Sequence, residues 1–263
     1  MALWVEYDGT QFSGWQLQRG SHVDSVQGAL EKALAFVANH PVRLHCAGRT
    51  DAGVHATAQL VHFDAENRRS LQSWCRGANA NLPDSVAVRG GHLVAPEFHA
   101  RFSARSRRYR YLICNDPVRP AIGGAYLAWV RQALDAKLMH AEAQALLGEQ
   151  DFSSFRAAAC QSSTPMRHVD FINVERRDTL VVIDIQANAF LHHMVRNIAG
   201  ALISIGKGLH PEGWLAELLG LRDRTQAPDT APAGGLYLVG VDYPEVFGLK
   251  PPSPGPWFLG DDS

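Results

Sequence analysis

Residues 46–64 read CAGRTDAGVHATAQLVHFD, a charged and glycine-containing turn between two stretches with the pattern of buried strands. Before the turn, residues 42–46 alternate between apolar and polar side chains, which is the period of a β-strand. After it, the apolar residues of the segment 59–64 indicate a second strand. The stretch therefore predicts two sheet strands joined through the turn 48–53.

The turn has two interpretations from its residues alone. Gly48 and Gly53 are typical of a solvated loop, because glycines permit turns and polar residues cover them. The same glycines also let the backbone approach a ligand closely, and Arg49 places a cation two residues before the carboxylate of Asp51. Both interpretations stay open at this point, and Asp51 is the candidate catalytic residue.

The composition sets limits on the class of protein. The chain has 263 residues and a formal net charge of −1, so a nucleic-acid partner would have to be held by a local basic patch. No apolar run approaches the roughly 20 residues of a membrane span, and the N-terminus lacks the features of a signal peptide. The four cysteines lie far apart in the sequence. We expect a soluble cytoplasmic protein with free thiols.

Apolar periodicity and turn signals predict an N-terminal domain over residues 1–103. The order of its elements is strand, helix, strand, strand, helix, strand, which is typical of a ferredoxin-like α+β sandwich. The predicted elements are a strand over 3–7, a helix from Ser25 to about Asn39, strands over 42–46 and 59–64, a helix over 70–80 and a strand over 86–94.

A shift in composition near residue 103 predicts a second α/β domain over residues 104–263. The segment 156–169 lacks clear periodicity and is expected to be a long functional loop or packed coil. The predicted elements are strands over 104–113, 171–177, 180–187 and 236–243, helices over 136–147, 190–205 and 211–219, and an irregular proline-rich tail.

The second domain begins with a basic stretch, RFSARSRRYRY, over residues 101–111. As a strand, it would place Tyr109 and Tyr111 on one face and Arg108 and Arg110 on the other. A solvated basic strand explains this composition, but arginines interleaved with aromatic residues are also expected where phosphates and bases are bound. The candidate phosphate contacts are Arg101, Arg105, Arg107, Arg108 and Arg110.

Sequence motifs for other chemistry are weak. The chain has no phosphate-binding P-loop, dinucleotide fingerprint, nucleophile elbow or zinc-protease helix. His192 lies one helical turn before Arg196, but a metal site would need more ligands than this segment supplies, so we predict none. A hydrolase of nucleosides or glycosides is disfavoured because no second carboxylate is evident as a partner for Asp51.

The motif GRTDAGVHA resembles the signature of the tRNA pseudouridine synthases of the TruA type. YDGTQFSGWQ, SVQGALEKAL, NANLPDSVAV, FHARFSARSRRYRY, DFSSF, NAFLHHMVRNIAG and GLYLVGVDY resemble further blocks of that family in the same order. The resemblance implies two ferredoxin-like α/β domains that share a joined, mainly antiparallel central sheet with a basic cleft. It also implies a homodimer that needs no cofactor and isomerises uridine to pseudouridine at positions 38, 39 and 40 of the tRNA anticodon stem-loop.

The same resemblance implies a role for four residues. Asp51 occupies the place of the nucleophile, and an aspartate in water is ionised at neutral pH and able to attack. Arg196 resembles the basic partner of that carboxylate, Arg49 the arginine that holds the target nucleotide out of its stack, and Tyr109 the tyrosine that stacks on the base. The alternative from another class is a non-catalytic tRNA-binding protein or chaperone on the same scaffold.

Overall fold

The computed structural model describes residues 1–16, 24–65 and 69–260, and these contain ten β-strands and five α-helices. The last residues of the tail predicted to be irregular, 261–263, lie outside the described residues. The strands are β1 (Ala2–Tyr7), β2 (His45–Cys46), β3 (His55–His62), β4 (Val86–His92), β5 (Ser106–Asn115), β6 (Ala128–Val130), β7 (Gly148–Asp151), β8 (Met166–Arg177), β9 (Leu180–Ala187) and β10 (Leu236–Asp242). The helices are α1 (Val26–Ala38), α2 (Leu71–Asn79), α3 (Ala136–Ala143), α4 (Met194–Gly206) and α5 (Trp214–Leu221).

The chain forms two compact units that divide it differently from the predicted domains. Unit 1 comprises residues 1–106 and 237–263, and unit 2 comprises residues 107–236. The C-terminal segment joins unit 1 because β10 pairs in parallel with β3, with Tyr237 opposite His55. A parallel partner this far along the chain leaves no local signal in the sequence, whereas the composition shift lies within four residues of the first boundary.

Unit 1 has the sheet of a ferredoxin-like sandwich. The strand order is β4-β1-β3, with β2 on the other side of β3, and all of these pairs are antiparallel. β2 and β10 share one edge of β3: β2 pairs with its C-terminal residues Val61 and His62, and β10 pairs with its first residues. The predicted element order and α+β class are confirmed. β3 begins at His55 rather than at residue 59, and only His45 and Cys46 of the predicted strand over 42–46 join the ladder.

The two helices of unit 1 form where capping and apolar spacing predicted them. Ser25 caps α1 by accepting a hydrogen bond from the Gly28 N–H (3.1 Å), and the helix ends at Asn39 in the left-handed conformation (φ 60°). α2 packs closely on α1, because a Cβ atom on Gly77 would lie 2.8 Å from Val37 Cγ2. Glycine at this position therefore sets how near the two helices approach.

Unit 2 is also mainly antiparallel, with the strand order β5-β9-β8-β7 and β6 parallel to β5. Several predicted bounds were wrong: the strand over 104–113 is Ser106–Asn115, the helix over 136–147 is Ala136–Ala143, and the helix over 211–219 is Trp214–Leu221. Two further differences have a clear physical cause. α4 begins at Met194 rather than at residue 190, because His193 is left-handed (φ 62°) and ends any helical path before it. β8 begins at Met166, inside the segment expected to be irregular, because it pairs there with β7.

A charge cluster on one face of β5 explains two arginines of the basic stretch. Arg108 donates to Asp184 from Nε (2.8 Å) and Nη2 (2.6 Å), and Arg110 donates to the same carboxylate from Nε (2.8 Å). Arg110 is only 2% exposed. The predicted placement of these two side chains on one face is confirmed, and the buried carboxylate compensates their charge.

The four cysteines are free thiols, of which Cys114 is buried and the other three are half-buried. Across the ranges that the structure describes, the helices are too short or too polar to cross a bilayer.

Replacement of Asp184 by asparagine is expected to lower the free energy of unfolding by about 3 kcal/mol, since the buried charge of Arg110 loses its compensation. Urea denaturation of the purified protein measures this loss. The matched control is Asp170→Asn on β8, where an exposed carboxylate is expected to contribute less than about 1 kcal/mol. Equal denaturation midpoints for the two variants would contradict the assignment.

Candidate active site

The segment 48–51 presents its side chains alternately outward and inward. Thr50 is buried and points into unit 1, whereas Arg49 is exposed and Asp51 is half-buried. The chain then turns back to β3 through a hydrogen bond from the Val54 N–H to the Asp51 carbonyl (3.2 Å), with Gly53 in the left-handed region (φ 76°). The local backbone therefore presents an arginine and an aspartate from one short segment.

The first end of the segment is bound by a buried side chain of β3. The Gly48 N–H donates to Gln59 Oε1 (3.3 Å), and Gln59 Nε2 donates to the Gly48 carbonyl (2.5 Å). Gln59 is completely buried. Both polar groups of the Gly48 backbone are therefore satisfied by one amide.

The second end is bound at Thr50. Its Oγ1 lies 2.7 Å from the hydroxyl of Tyr7 on β1, and its carbonyl accepts from the Trp15 N–H (3.0 Å). Gly14 lies against the same carbonyl with φ 95°, and a Cβ atom there would come within 2.9 Å of the Thr50 oxygen. Glycine is therefore required for this close approach.

The two outward side chains differ in their surroundings. Arg49 makes no hydrogen bond or ion pair with any residue that the structure describes, so its guanidinium can bind an anionic ligand without breaking a contact. Asp51 is half-buried, which combines access for a reactant with partial shielding from water. Arg49 and Asp51 are thus brought together on one face of unit 1.

In unit 2, Tyr109 lies on β5 opposite Ile185 of β9. Its ring is 8% exposed and packs edge-on against Phe190, with ring centroids 5.0 Å apart. This contact fixes the plane of the tyrosine ring. Tyr111 shares the same face two residues later.

Arg196 of α4 is oriented by the backbone of residue 231. Its Nε donates to the Ala231 carbonyl (2.8 Å), and the Ala231 N–H donates back to the Arg196 carbonyl (3.2 Å). Burial raises the pKa of Tyr111 far above its ordinary value, and the nearby charge of Arg196 opposes that rise. The Tyr111 hydroxyl donates to the Pro232 carbonyl (2.8 Å), so β5 and α4 hold the same segment.

The arginines of the basic stretch fall into different environments. Arg101 and Arg105 are exposed, and the Arg101 guanidinium lies 5.6 Å from the ring centroid of the exposed Phe102. Arg107 is half-buried and donates from Nη1 to the Asn188 carbonyl (3.1 Å). Arg108 and Arg110 bind Asp184, and the burial of Arg110 gives that residue a structural position instead of access to a phosphate.

The sequence prediction did not single out several residues that complete this geometry. Phe190 and Ala231 act through contacts that no local pattern reveals. Gln59 carried a signal, because a glutamine between apolar residues of a buried strand needs hydrogen-bond partners. Tyr7 lies at the end of the predicted strand over 3–7, where no local pattern indicates a partner for its hydroxyl.

A loop before α4 holds a cysteine among hydrogen-bond donors. The His192 N–H donates to Cys160 Sγ (3.4 Å), and Arg156 Nη2 donates to the carbonyl groups of Cys160 and Ser162. Burial by itself would raise the pKa of the Cys160 thiol, but the N–H donors and the Arg156 guanidinium outweigh it and lower that pKa. Burial raises the pKa of the Cys75 and Cys114 thiols instead.

Comparison with known proteins identifies related sequences over the whole chain. A family model described as tRNA pseudouridine synthase matches residues 3–103 and 143–244. The tRNA pseudouridine synthase A of Aeromonas salmonicida (strain A449) is 56% identical over 263 residues, which is 100% of this chain and 97% of that protein. The protein of the same name from Actinobacillus pleuropneumoniae serotype 3 (strain JL03) is 55% identical over 99% of both chains.

Among solved structures, a chain of a Cbf5-Nop10-Gar1 complex aligns with 91% of this chain and 49% of its own length. The TM-score is 0.38 and the sequence identity is 12%, values too low to indicate a shared function. The family model leaves out residues 104–142, so β5 and Tyr109 are covered by the full-length relatives alone.

Iodoacetamide at about pH 7.5 is expected to alkylate Cys160 several times faster than Cys75, because a lower thiol pKa gives more thiolate at the same pH. Both residues are half-buried, so access is comparable. Peptide mass spectrometry after limited labelling measures the two rates, and Arg156→Gln should slow labelling at Cys160 only. Faster labelling of Cys75 in the wild-type protein would contradict this expectation.

Proposed function

We propose, since the chain belongs to the tRNA pseudouridine synthase family, that it isomerises uridine to pseudouridine in tRNA with Asp51 as the nucleophile. Full-length identity of 55% to 56% with proteins named tRNA pseudouridine synthase A is the observation that carries the activity. The fixed turn of unit 1, which exposes Arg49 beside a half-buried Asp51, supports the choice of residues.

The proposed reaction is an intramolecular transfer. The Asp51 carboxylate forms a bond to ribose C1′ or uracil C6, the bond between C1′ and uracil N1 breaks, and the base rotates. C1′ then bonds to C5, and the bond to Asp51 breaks and releases the carboxylate. The hydrogen on C5 leaves as a proton and N1 gains one, so the product has the atoms of the substrate. The mechanism requires the uridine to be extruded from its stack, which costs a few kcal/mol.

Three further residues receive roles in this proposal. Arg49 holds the extruded nucleotide, a role supported by its exposure and by its lack of contacts to the described residues. Tyr109 stacks on the base, supported by the way Phe190 fixes its ring. Arg196 places a positive charge near the Asp51 carboxylate and favours its ionised form. A backbone contact that orients the Arg196 guanidinium supports this role.

The proposed substrates are uridines at positions 38, 39 and 40 of the anticodon stem-loop. Arg101 and Arg105 are the arginines of the basic stretch with exposed side chains, and we assign them contacts to the phosphate backbone, with Arg107 as a third candidate. A homodimer and a cytoplasmic location complete the proposal and rest on the family resemblance.

The alternative function is a tRNA-binding protein or chaperone without catalysis. Purified wild-type protein would then shift tRNA in a salt-dependent manner but release no tritium from tRNA labelled at uridine C5. Tritium release with pseudouridine in the product supports the isomerase, and free uracil in the product would indicate a hydrolase.

Asp51→Asn is expected to abolish tritium release from C5-labelled tRNA, because a neutral amide cannot act as the nucleophile. Binding of tRNA, measured by filter retention, should change less than about threefold, since the substitution preserves shape and removes one carboxylate. Asp84→Asn, at an exposed position of the same unit, is the control and should retain activity. Near-normal turnover of Asp51→Asn would show that another residue is the nucleophile.

Arg196→Met is expected to lower kcat by about 100-fold with a small change in KM. The substitution removes a positive charge that stabilises the transition state more than it stabilises bound tRNA. Steady-state tritium release at several tRNA concentrations separates the two constants. Arg131→Met removes an exposed arginine of the same unit and serves as the control. An unchanged kcat for Arg196→Met would assign the cation to a different residue.

A further inference from the structure

We infer that Gln59 is a positioning residue for catalysis. Its side-chain amide makes the two hydrogen bonds to Gly48 that the backbone of a neighbouring strand would otherwise make. It thereby fixes the point at which the segment that carries Arg49 and Asp51 leaves the sheet. The inference rests on the proposed function, because it concerns the same turn. It assigns Gln59 no contact with the substrate.

The path of the chain beside β3 shows why a side chain is needed there. Cys46 pairs with Val61, and the Ala47 N–H still donates to the Leu60 carbonyl (2.8 Å) as in an antiparallel ladder. At the next residue, Gly48, the hydrogen bonds go to the side chain of Gln59 instead of to a backbone group. The ladder therefore ends on an amide that presents the same donor and acceptor pair as a peptide.

The segment that follows Gly48 cannot continue to pair with β3. Tyr237 and Leu238 of β10 occupy the edge beside His55 and Ala56, the first two residues of β3. The segment 48–54 must therefore leave the sheet between the part paired with β2 and the part paired with β10. Gln59 lies on β3 between these two parts, where the departure occurs.

Burial makes this amide a rigid support. Gln59 has no exposed surface and lies opposite Val5 of β1 in the ladder, so its backbone is fixed from the other side. A leucine in its place would leave the Gly48 N–H and carbonyl without these partners. The backbone of the segment would then shift to find others.

Arg49 lies between two bound residues, Gly48 held by Gln59 and Thr50 held by Tyr7 and Trp15. Asp51 follows the second of these directly. Displacement of Gly48 therefore changes the direction of both functional side chains without removing either. A misplacement of about 1 Å at a reacting group can lower a rate by about 100-fold.

The first experiment compares Gln59→Leu with the wild-type protein in steady-state tritium release from C5-labelled tRNA. We expect kcat to fall by about 10- to 100-fold, while KM changes by less than about threefold, because phosphate contacts are untouched. Val61→Ala is the matched control, since Val61 is fully buried on the same face of β3 but pairs with Cys46 and not with the turn. Val61→Ala should retain kcat within about threefold of the wild-type value, even if its melting temperature falls as far as that of Gln59→Leu.

The second experiment uses Gln59→Glu and pH. A protonated carboxyl group can donate to the Gly48 carbonyl and accept from its N–H, as the amide does, whereas a carboxylate cannot donate. Burial raises the pKa of a carboxyl group, so the protonated form is favoured at the lower end of the assay range. We expect kcat relative to wild type to be several-fold higher at about pH 6 than at about pH 8.5, and the same ratio for Gln59→Leu to be flat.

Three results would overturn the inference: a kcat of folded Gln59→Leu within about threefold of wild type, an equal loss of kcat in Val61→Ala, or a pH-independent ratio for Gln59→Glu. In each case an active wild-type protein leaves the proposed function standing. An inactive wild-type protein would instead remove the proposed function, and the role of Gln59 with it.

Discussion

The backbone of residues 48–51 has to leave a sheet without leaving its polar groups unsatisfied. Unit 1 meets this constraint with one buried amide, from Gln59, and one hydroxyl pair, between Tyr7 and Thr50. The core therefore binds the backbone and the inward side chain, while Arg49 is exposed and Asp51 is half-buried. The proposed function assigns the reaction to the side chains of this segment that the core does not bind.

Three arginines of unit 2 are held by two kinds of hydrogen-bond acceptor, a carboxylate and a backbone carbonyl. Arg108 and Arg110 share the carboxylate of Asp184, which compensates part of their charge and holds both guanidinium groups in place. The Nε of Arg196 donates to the carbonyl of Ala231, a contact that orients the guanidinium. The proposed role of Arg196, a cation near the Asp51 carboxylate, requires a guanidinium held in a fixed direction.

The final strand, β10, brings the C-terminal segment back to the sheet of unit 1. By pairing in parallel with the beginning of β3, β10 closes the edge of the sheet beside the departing segment and returns residues 237–263 to unit 1. The residues matched by the family model include this strand. It also means that truncation before β10 would remove part of unit 1.

Elements with local signals can be predicted from the amino-acid sequence alone. Ser25 with the apolar spacing that follows it specified α1, and the motif around Asp51 identified both the family and its candidate nucleophile. Tertiary structure decided which arginines are structural, where His193 stops α4, and which side chain supports Gly48. Capping and periodicity act over three or four residues and can be read along the chain, whereas the contacts of Asp184, β10 and Gln59 join residues that only folding brings together.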